Sequence, residues 1–276
     1  MKLITFTHNN EELVGVLAGE SVIPLRQFAS MEDLIRAGVP TDLGAERIPF
    51  TEVQLLAPIP RPAHDIICLG MNFADHTKEA ARFHPTLIRE NQAVYFGKRV
   101  DLAVPDGGAI DSHPDVTQQL DYEAEIAVII GRDARHVKRE AVKDYIFGYT
   151  IINDVSAREV QTGHKQYFFG KSLDTFTPMG PCIVTADAFS YPPEIGIRCY
   201  VNGEKRQDGN TRQWIFDIED VITELSAGMT LQAGTIISMG TPAGVGMGMT
   251  PPVFLKPGDV VKCEADGIGS LTNPVI

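Results

Sequence analysis

The sequence predicts a β-rich α+β fold, and three observations carry that reading. Apolar runs are short, rich in β-branched residues and closed by glycine, proline or asparagine turns. Helical patterns are few and do not alternate with strands, so regular βαβ units are not expected. The 25 glycines and 18 prolines supply the many tight turns that an irregular, strand-dominated fold needs.

Residues 2–24 hold short β-like runs broken at Asn9-Asn10 and Gly19-Glu20, the pattern of a small meander. Ser30 precedes Met31–Ala37 with an acid at Asp33 and a glycine at Gly38, which predicts a short capped helix. Ala57-Pro-Ile-Pro-Arg-Pro-Ala63 can be neither a helix interior nor a central strand. A boundary near residue 60 follows, with a small β-rich N-terminal domain over 1–60 and a larger domain over 61–276. Beyond it, strands are expected at Asp121–Ile130 and Tyr149–Asp154, and helices near 75–82, 154–162 and 216–226. No internal repeat or low-complexity tract interrupts the chain.

A hydrophobic content of 43% with 22% charged residues is that of a globular protein. The net charge of −12 argues against nucleic acid and anionic membrane surfaces as partners. The first residues lack the apolar core of a signal peptide and no stretch approaches membrane-span length, so a cytoplasmic protein is expected. Cys68, Cys182, Cys199 and Cys263 are scattered among apolar neighbours and read as reduced, mostly buried thiols.

Glu123 and Glu125 are the most informative residues, because they sit inside an apolar, strand-like run. Two apart on a strand, they would share a face with Cα atoms roughly 6.6 Å apart. Like charges in a low-dielectric setting need a proton or a cation between them. A solvated strand edge is the plainer reading, but Ala127 and Ile129 continue the same face and make it apolar. Asp154 ends the next apolar strand and supplies a third carboxylate, although capping a helix is the commoner work for such an aspartate. Three carboxylates leave about three positions for water or substrate, which suits octahedral Mg²⁺ or Mn²⁺; Ca²⁺ stays an alternative that usually takes more protein oxygens.

Five motifs then occur in order: Leu69-Gly-Met-Asn-Phe-Ala-Asp-His-Thr-Lys-Glu79, Asp121-Tyr-Glu-Ala-Glu125, Gly148-Tyr-Thr-Ile-Ile-Asn-Asp-Val-Ser-Ala-Arg158, Gly170-Lys-Ser-Leu-Asp-Thr-Phe176 and Gly240-Thr-Pro-Ala-Gly-Val-Gly246. Together they resemble the fumarylacetoacetate hydrolase superfamily, in its bacterial acylpyruvase, oxaloacetate decarboxylase and hydroxymuconate isomerase branch, over about residues 64–276. The resemblance implies a mixed β-roll catalytic domain, a small N-terminal domain, a homodimer, and a divalent metal on Glu123, Glu125 and Asp154.

His76 and Glu79 are three apart in a helical pattern, so the carboxylate can hold one imidazole nitrogen and leave the other as a base. Alone they would read as an incidental exposed pair; the resemblance implies a catalytic dyad, often carried on a lid, between Gly70 and Pro85 here. Arg158, Gln161 and Lys171 are the anion-handling candidates, since three carboxylates and one dication leave a negative site. Each alone would read as a surface residue; the resemblance assigns Lys171 to the metal and substrate shell, and Arg158 and Gln161 to substrate contacts. The glycine-rich Gly240–Gly248 loop lacks the lysine and hydroxyl of a P-loop, and Pro251-Pro252 block the helix a dinucleotide site must open. It is read instead as backbone amides and Thr241 approaching a bound carboxylate, with a plain tight turn as the alternative. Phe73, Met239 and Arg99 depart from the family pattern and bear on which substrate fits.

The function the resemblance implies is divalent-metal-dependent C–C bond hydrolysis or decarboxylation of a β-diketo or β-keto acid, of acylpyruvate or oxaloacetate type, through a metal-stabilised enolate. Isomerisation of a 2-hydroxyhepta-2,4-diene-1,7-dioate type of acid ranks behind it. An inactive metal-binding scaffold is the alternative of another class, and the intact His76–Glu79 pair speaks against it.

Overall fold

The computed structural model describes residues 1–80 and 92–276. The N-terminal meander forms as expected: β1 (Lys2–His8), β2 (Glu11–Ala18) and β3 (Ser21–Pro24) pair antiparallel in succession. Asn9 and Asn10 both take positive φ, 51° and 63°, the pair of left-handed residues that a tight hairpin needs and asparagine tolerates. Ser30 Oγ accepts from Asp33 N at 3.1 Å and caps α1 (Met31–Ala37), which Gly38 closes with φ 90°.

Next come β4 (Ile48–Pro49) and β5 (Gln54–Leu55), then the proline-rich connector, which forms neither helix nor strand. β6 (Ile66–Gly70), α2 (Ala74–Ala80) and β7 (Val94–Lys98) follow. The rest of the helix expected to 82, and of the lid segment expected to Pro85, lies outside the described residues. The site-bearing stretch is β8 (Leu120–Asp121), β9 (Ala124–Ile130), β10 (Ile146–Asn153), β11 (Ser156–Ala157), α3 (Arg158–Gly163) and α4 (Phe168–Lys171). The chain finishes with β12 (Met179–Thr185), β13 (Gly196–Val201), β14 (Glu204–Asn210), α5 (Ile218–Gly228), β15 (Ile236–Ser238), β16 (Val260–Ala265) and β17 (Gly269–Pro274).

Among the described residues, eleven strands form one sheet in the order β4-β3-β2-β1-β12-β10-β9-β15-β6-β7, with β5 on β1. The sheet is mixed, since β15 and β6 run parallel while the neighbouring pairs are antiparallel. A smaller sheet, β14-β13-β16-β17, lies apart from it. This is the β-rich α+β architecture that the sequence predicts, with α1 on one face of the large sheet and α5 and the small sheet on the other.

That layering explains the continuous apolar runs. β9 and β10 are buried at every position because both faces of the sheet are covered. Ile126, Val128 and Ile130 pack with Tyr149, Ile197 and Val221, while Ala127 and Ile129 pack with Leu34, Phe147 and Ile152. Each buried isoleucine or valine contributes about 1.5–3 kcal/mol by leaving water. The centre of the large sheet is therefore covered on both faces, and the acids stand at its strand ends. All four cysteines are free and buried, as read from their neighbours. No helix among the described residues is long and apolar enough to cross a membrane.

Two local expectations need correction. The Asp121–Ile130 strand is broken: Tyr122 N donates to Asp121 Oδ1 and Glu123 N to Asn153 Oδ1, so side chains take the place of a strand partner there. Glu123 thus reaches the site from a break just before β9, and only Glu125 projects from the strand itself. The helix expected from 154 begins at Arg158, because Ser156 and Ala157 first pair with Asp121 and Leu120. Asp154 caps nothing, which frees its carboxylate.

Candidate active site

The three acids converge as the sequence reading requires. Glu123, Glu125 and Asp154 are all buried and can each offer one oxygen within 4.8 Å of the others. β9 and β10 are neighbouring strands, and Asp154 N donates to Glu123 O at 2.8 Å just beyond their ends. The peptide between the glutamates is fixed from both sides: Ala124 N donates to Gln207 Oε1 (3.0 Å), and Thr241 Oγ1 donates to Ala124 O (2.9 Å).

Cations surround part of this cluster. Lys171 Nζ donates to Glu123 Oε2 at 2.8 Å and to Asp154 Oδ2 at 2.7 Å. Arg158 Nη1 lies 2.7 Å from Glu123 Oε1, and its Nε donates to Asp121 Oδ2 at 2.8 Å. Burial works against the Lys171 ammonium, but Asp154 and Glu123 outweigh it and hold its pKa above the usual lysine value. Glu123 shows the complement: burial works against its charge, and Lys171 and Arg158 overcome that and keep it well below the ordinary carboxylate range.

Glu125 is different. Its Oε2 accepts from Ser238 Oγ at 2.6 Å and Gly240 N at 3.0 Å, with no basic side chain among the described residues bonded to it. Gly240 takes φ 88°, and a Cβ there would meet Asn72 Cβ at 2.9 Å, so glycine lets this amide face the carboxylate. Burial, then the charges of Asp154 and Glu123, push the Glu125 carboxyl well above the ordinary range. Three hard oxygen donors, one lacking a countercharge, fit a divalent cation.

His76 and Glu79 stand at the same cavity, which is lined also by Glu123, Glu125, Arg158, Gln161, Lys171 and Thr241. The spacing on α2 brings His76 Nδ1 and Glu79 Oε2 to 3.2 Å, and Glu79 also accepts from Gly244 N at 3.2 and 3.3 Å. An ionised carboxylate only accepts, so Nδ1 carries the ring proton and Nε2 is left as the base. Gln161 Oε1 accepts from Arg158 Nη1 at 3.0 Å, whereas Arg158 Nη2 is buried without a hydrogen bond to any described residue. The Thr241 hydroxyl is spent on Ala124 O and on Gln207 Nε2 (2.7 Å), so Thr241 builds the cavity wall through that group.

These nine residues are the ones singled out from the sequence, where their supports Asp121, Lys98 and Gln207 are given no role. Asp121 ties Arg158 to the glycine loop, accepting from Gly246 N at 2.7 Å and Met247 N at 2.9 Å. Lys98, fully buried, places Nζ 2.8 Å from Asp154 Oδ1. A lysine closing the apolar run Val94–Lys98 was a usable signal for that burial. Gln207 gave none, since its neighbours Arg206 and Asp208 make the strand look like a surface ribbon.

Comparison with known proteins agrees with this geometry. Residues 65–276 match the family described as fumarylacetoacetate (FAA) hydrolase, C-terminal, and residues 1–58 match one described as Rv2993c-like, N-terminal. The oxaloacetate tautomerase YisK of Bacillus subtilis is 45% identical over 234 residues, covering 85% of this chain and 77% of that protein. A solved fumarylacetoacetate hydrolase from Exiguobacterium antarcticum is 42% identical with a TM-score of 0.88, covering 100% of this chain and 99% of the other. A 5-carboxymethyl-2-hydroxymuconate delta-isomerase from Mycobacterium smegmatis is 30% identical with a TM-score of 0.82, over 100% and 99%.

Proposed function

Because the chain belongs to the fumarylacetoacetate hydrolase family, we propose that it is a divalent-metal-dependent enzyme that interconverts the keto and enol forms of a small 2-oxo acid of the oxaloacetate class. The observation that carries this reading is the His76–Glu79 pair, which puts a base at the cavity that Glu123, Glu125 and Lys171 also line. A divalent ion on Glu123, Glu125 and Asp154 would bind the carboxylate and keto oxygens and lower the cost of negative charge on the latter.

The chain's own groups do the rest. His76 Nε2 takes a proton from the carbon beside the keto group and returns it to the oxygen, so one C–H bond breaks and one O–H bond forms. Glu79 holds the ring in the tautomer this needs and stabilises its protonated form. Lys171, kept charged by Asp154 and Glu123, adds fixed positive charge at the same wall. Arg158 still has Nη2 hydrogens to donate to a substrate carboxylate, with Gln161 orienting its neighbouring nitrogen.

Cleavage of a C–C bond is the second reading, favoured by the full-length likeness to the Exiguobacterium hydrolase. There His76 would take its proton from water instead of carbon, and decarboxylation would need no water at all. The test is purified protein with Mg²⁺ and either oxaloacetate or a short acylpyruvate, followed by enol absorbance and proton NMR. Faster keto–enol exchange without pyruvate is expected, slowed about 10²-fold or more by His76→Ala. Pyruvate from oxaloacetate would favour decarboxylation, and acylpyruvate cleavage would favour hydrolysis. Silence in every assay would leave a metal-binding scaffold.

A further inference from the structure

Three consecutive residues at the break before β9 send their side chains to three places. Asp121 holds Arg158, Glu123 joins the acid triad, and Tyr122 turns to the glycine loop, where its hydroxyl donates to Gly244 O at 2.9 Å. The tyrosine is 2% exposed and lines no part of the active-site cavity. Burial, and then the charge of Asp121, push its phenol well above the usual range, so the hydroxyl keeps its proton and stays a donor.

Gly244 is where the loop bonds the proton-transfer pair. Its N–H faces both oxygens of Glu79, at 3.3 and 3.2 Å, and Glu79 Oε2 lies 3.2 Å from His76 Nδ1. Gly244 takes φ 105°, and a Cβ there would stand 2.0 Å from the backbone oxygen of Arg206, so glycine alone can lie this close to β14. Asp121 fixes the limb of the turn that follows, accepting from Gly246 N and Met247 N, and Tyr122 fixes Gly244 itself.

We propose that Tyr122 is a positioning residue for proton transfer: its hydroxyl sets Gly244, whose amide orients the Glu79 carboxylate that holds His76. The proposal rests on the reading of His76 and Glu79 as the base and its partner. The plainer role of the hydroxyl, completing the hydrogen bond of a loop carbonyl, would leave His76 as it is. On the proposal, losing it lets Gly244 turn and Glu79 drift, and the imidazole then samples its other tautomer. A ring that carries its proton on Nε2 has no base to offer the cavity.

Tyr122→Phe deletes the one oxygen and tests this. Nitrogen NMR of isotope-labelled protein, at a pH where the ring is neutral, reads the His76 tautomer without any substrate. The wild type should show Nδ1–H, and the variant should move toward the mixture of a free imidazole. With Mg²⁺ and oxaloacetate, kcat for keto–enol exchange should fall about three- to tenfold, as the loss of one hydrogen bond predicts, while KM and Mg²⁺ affinity hold. In a Glu79→Gln background the same change should bring no further loss. A general loosening would move kcat, KM and Mg²⁺ affinity together, and that result overturns the proposal. An unchanged tautomer in the variant also overturns it, while a slow Glu79→Gln keeps the dyad standing. Full activity of Glu79→Gln overturns the dyad reading and this proposal with it. If the wild type turns over no substrate, the tautomer signal decides alone.

Discussion

The acid triad, through Glu123 and Glu125, and the His76–Glu79 pair face one cavity but are held in place by different means. The triad sits at the ends of β9 and β10, in the middle of a sheet covered on both faces, and its oxygens meet charged or short contacts of 2.6–3.0 Å. The dyad sits on a seven-residue helix, its internal contact is 3.2 Å, and its one tie to the glycine loop is 3.2–3.3 Å. Short charge-assisted bonds in a dry interior are costly to rearrange, whereas longer ones are less so. The contrast fits the two tasks proposed for them: stabilising charge needs fixed dipoles before the reaction starts, while passing a proton between two atoms needs a base that can follow it.

Three experiments would break or sharpen that contrast. The largest effect should come from Glu123→Ala, which removes a ligand and leaves Lys171 and Arg158 short of a partner. Stoichiometric metal should be lost and turnover should fall by about 10³-fold, read by metal analysis alongside the rate. Full activity in a chelator-treated variant would show that the acids are not a metal site.

A smaller effect should follow Gly248→Ala. A Cβ at this position would lie 2.0 Å from the Glu79 carboxyl, the movable end of a flexible side chain. Glu79 should swing away from His76, lowering kcat about tenfold or more while Mg²⁺ affinity and thermal stability hold. If metal affinity fell in step with kcat, the two walls would be one mechanical unit.

The smallest concerns protons. The Glu125 carboxyl lies well above its ordinary 4.5, through burial and then through Asp154 and Glu123. Its folded pKa exceeds the unfolded one, so this group's contribution to the stability of the metal-free protein is full below about 4.5 and is lost as pH rises through the raised value. A dication needs the ionised form, so Mg²⁺ binding should release a proton and tighten with rising pH across that window. Calorimetry in buffers of different ionisation heat counts the proton; a count of zero would mean that Glu125 is ionised before the metal arrives.

Local chemistry was readable where one residue type has one use. Asn9-Asn10, Ser30 with Gly38, and the His76–Glu79 spacing all formed as their geometry dictates. The triad was readable because acids inside an apolar run demand an explanation. What the sequence hid was long-range: Gln207 comes from a distant strand to hold Ala124, and Ser238 reaches Glu125 only because β15 lies beside β9. The break at Glu123 was hidden for the same reason, since Asn153 supplies its partner from the next strand. Periodicity reports which face a side chain occupies, not which foreign group will replace a backbone bond.

The pairing of β1 with β12 places a border in an unexpected position. β12 lies between β1 and β10, the strand that ends beside Asp154. A chain trimmed to the 65–276 stretch that the hydrolase family covers would leave β12 as a bare rim, its N–H and C=O groups open to any passing strand. Kinship and self-sufficiency thus end at different residues in this chain: the match to the hydrolase family starts at 65, but the open side of β12 is covered by Met1, Lys2 and Leu3.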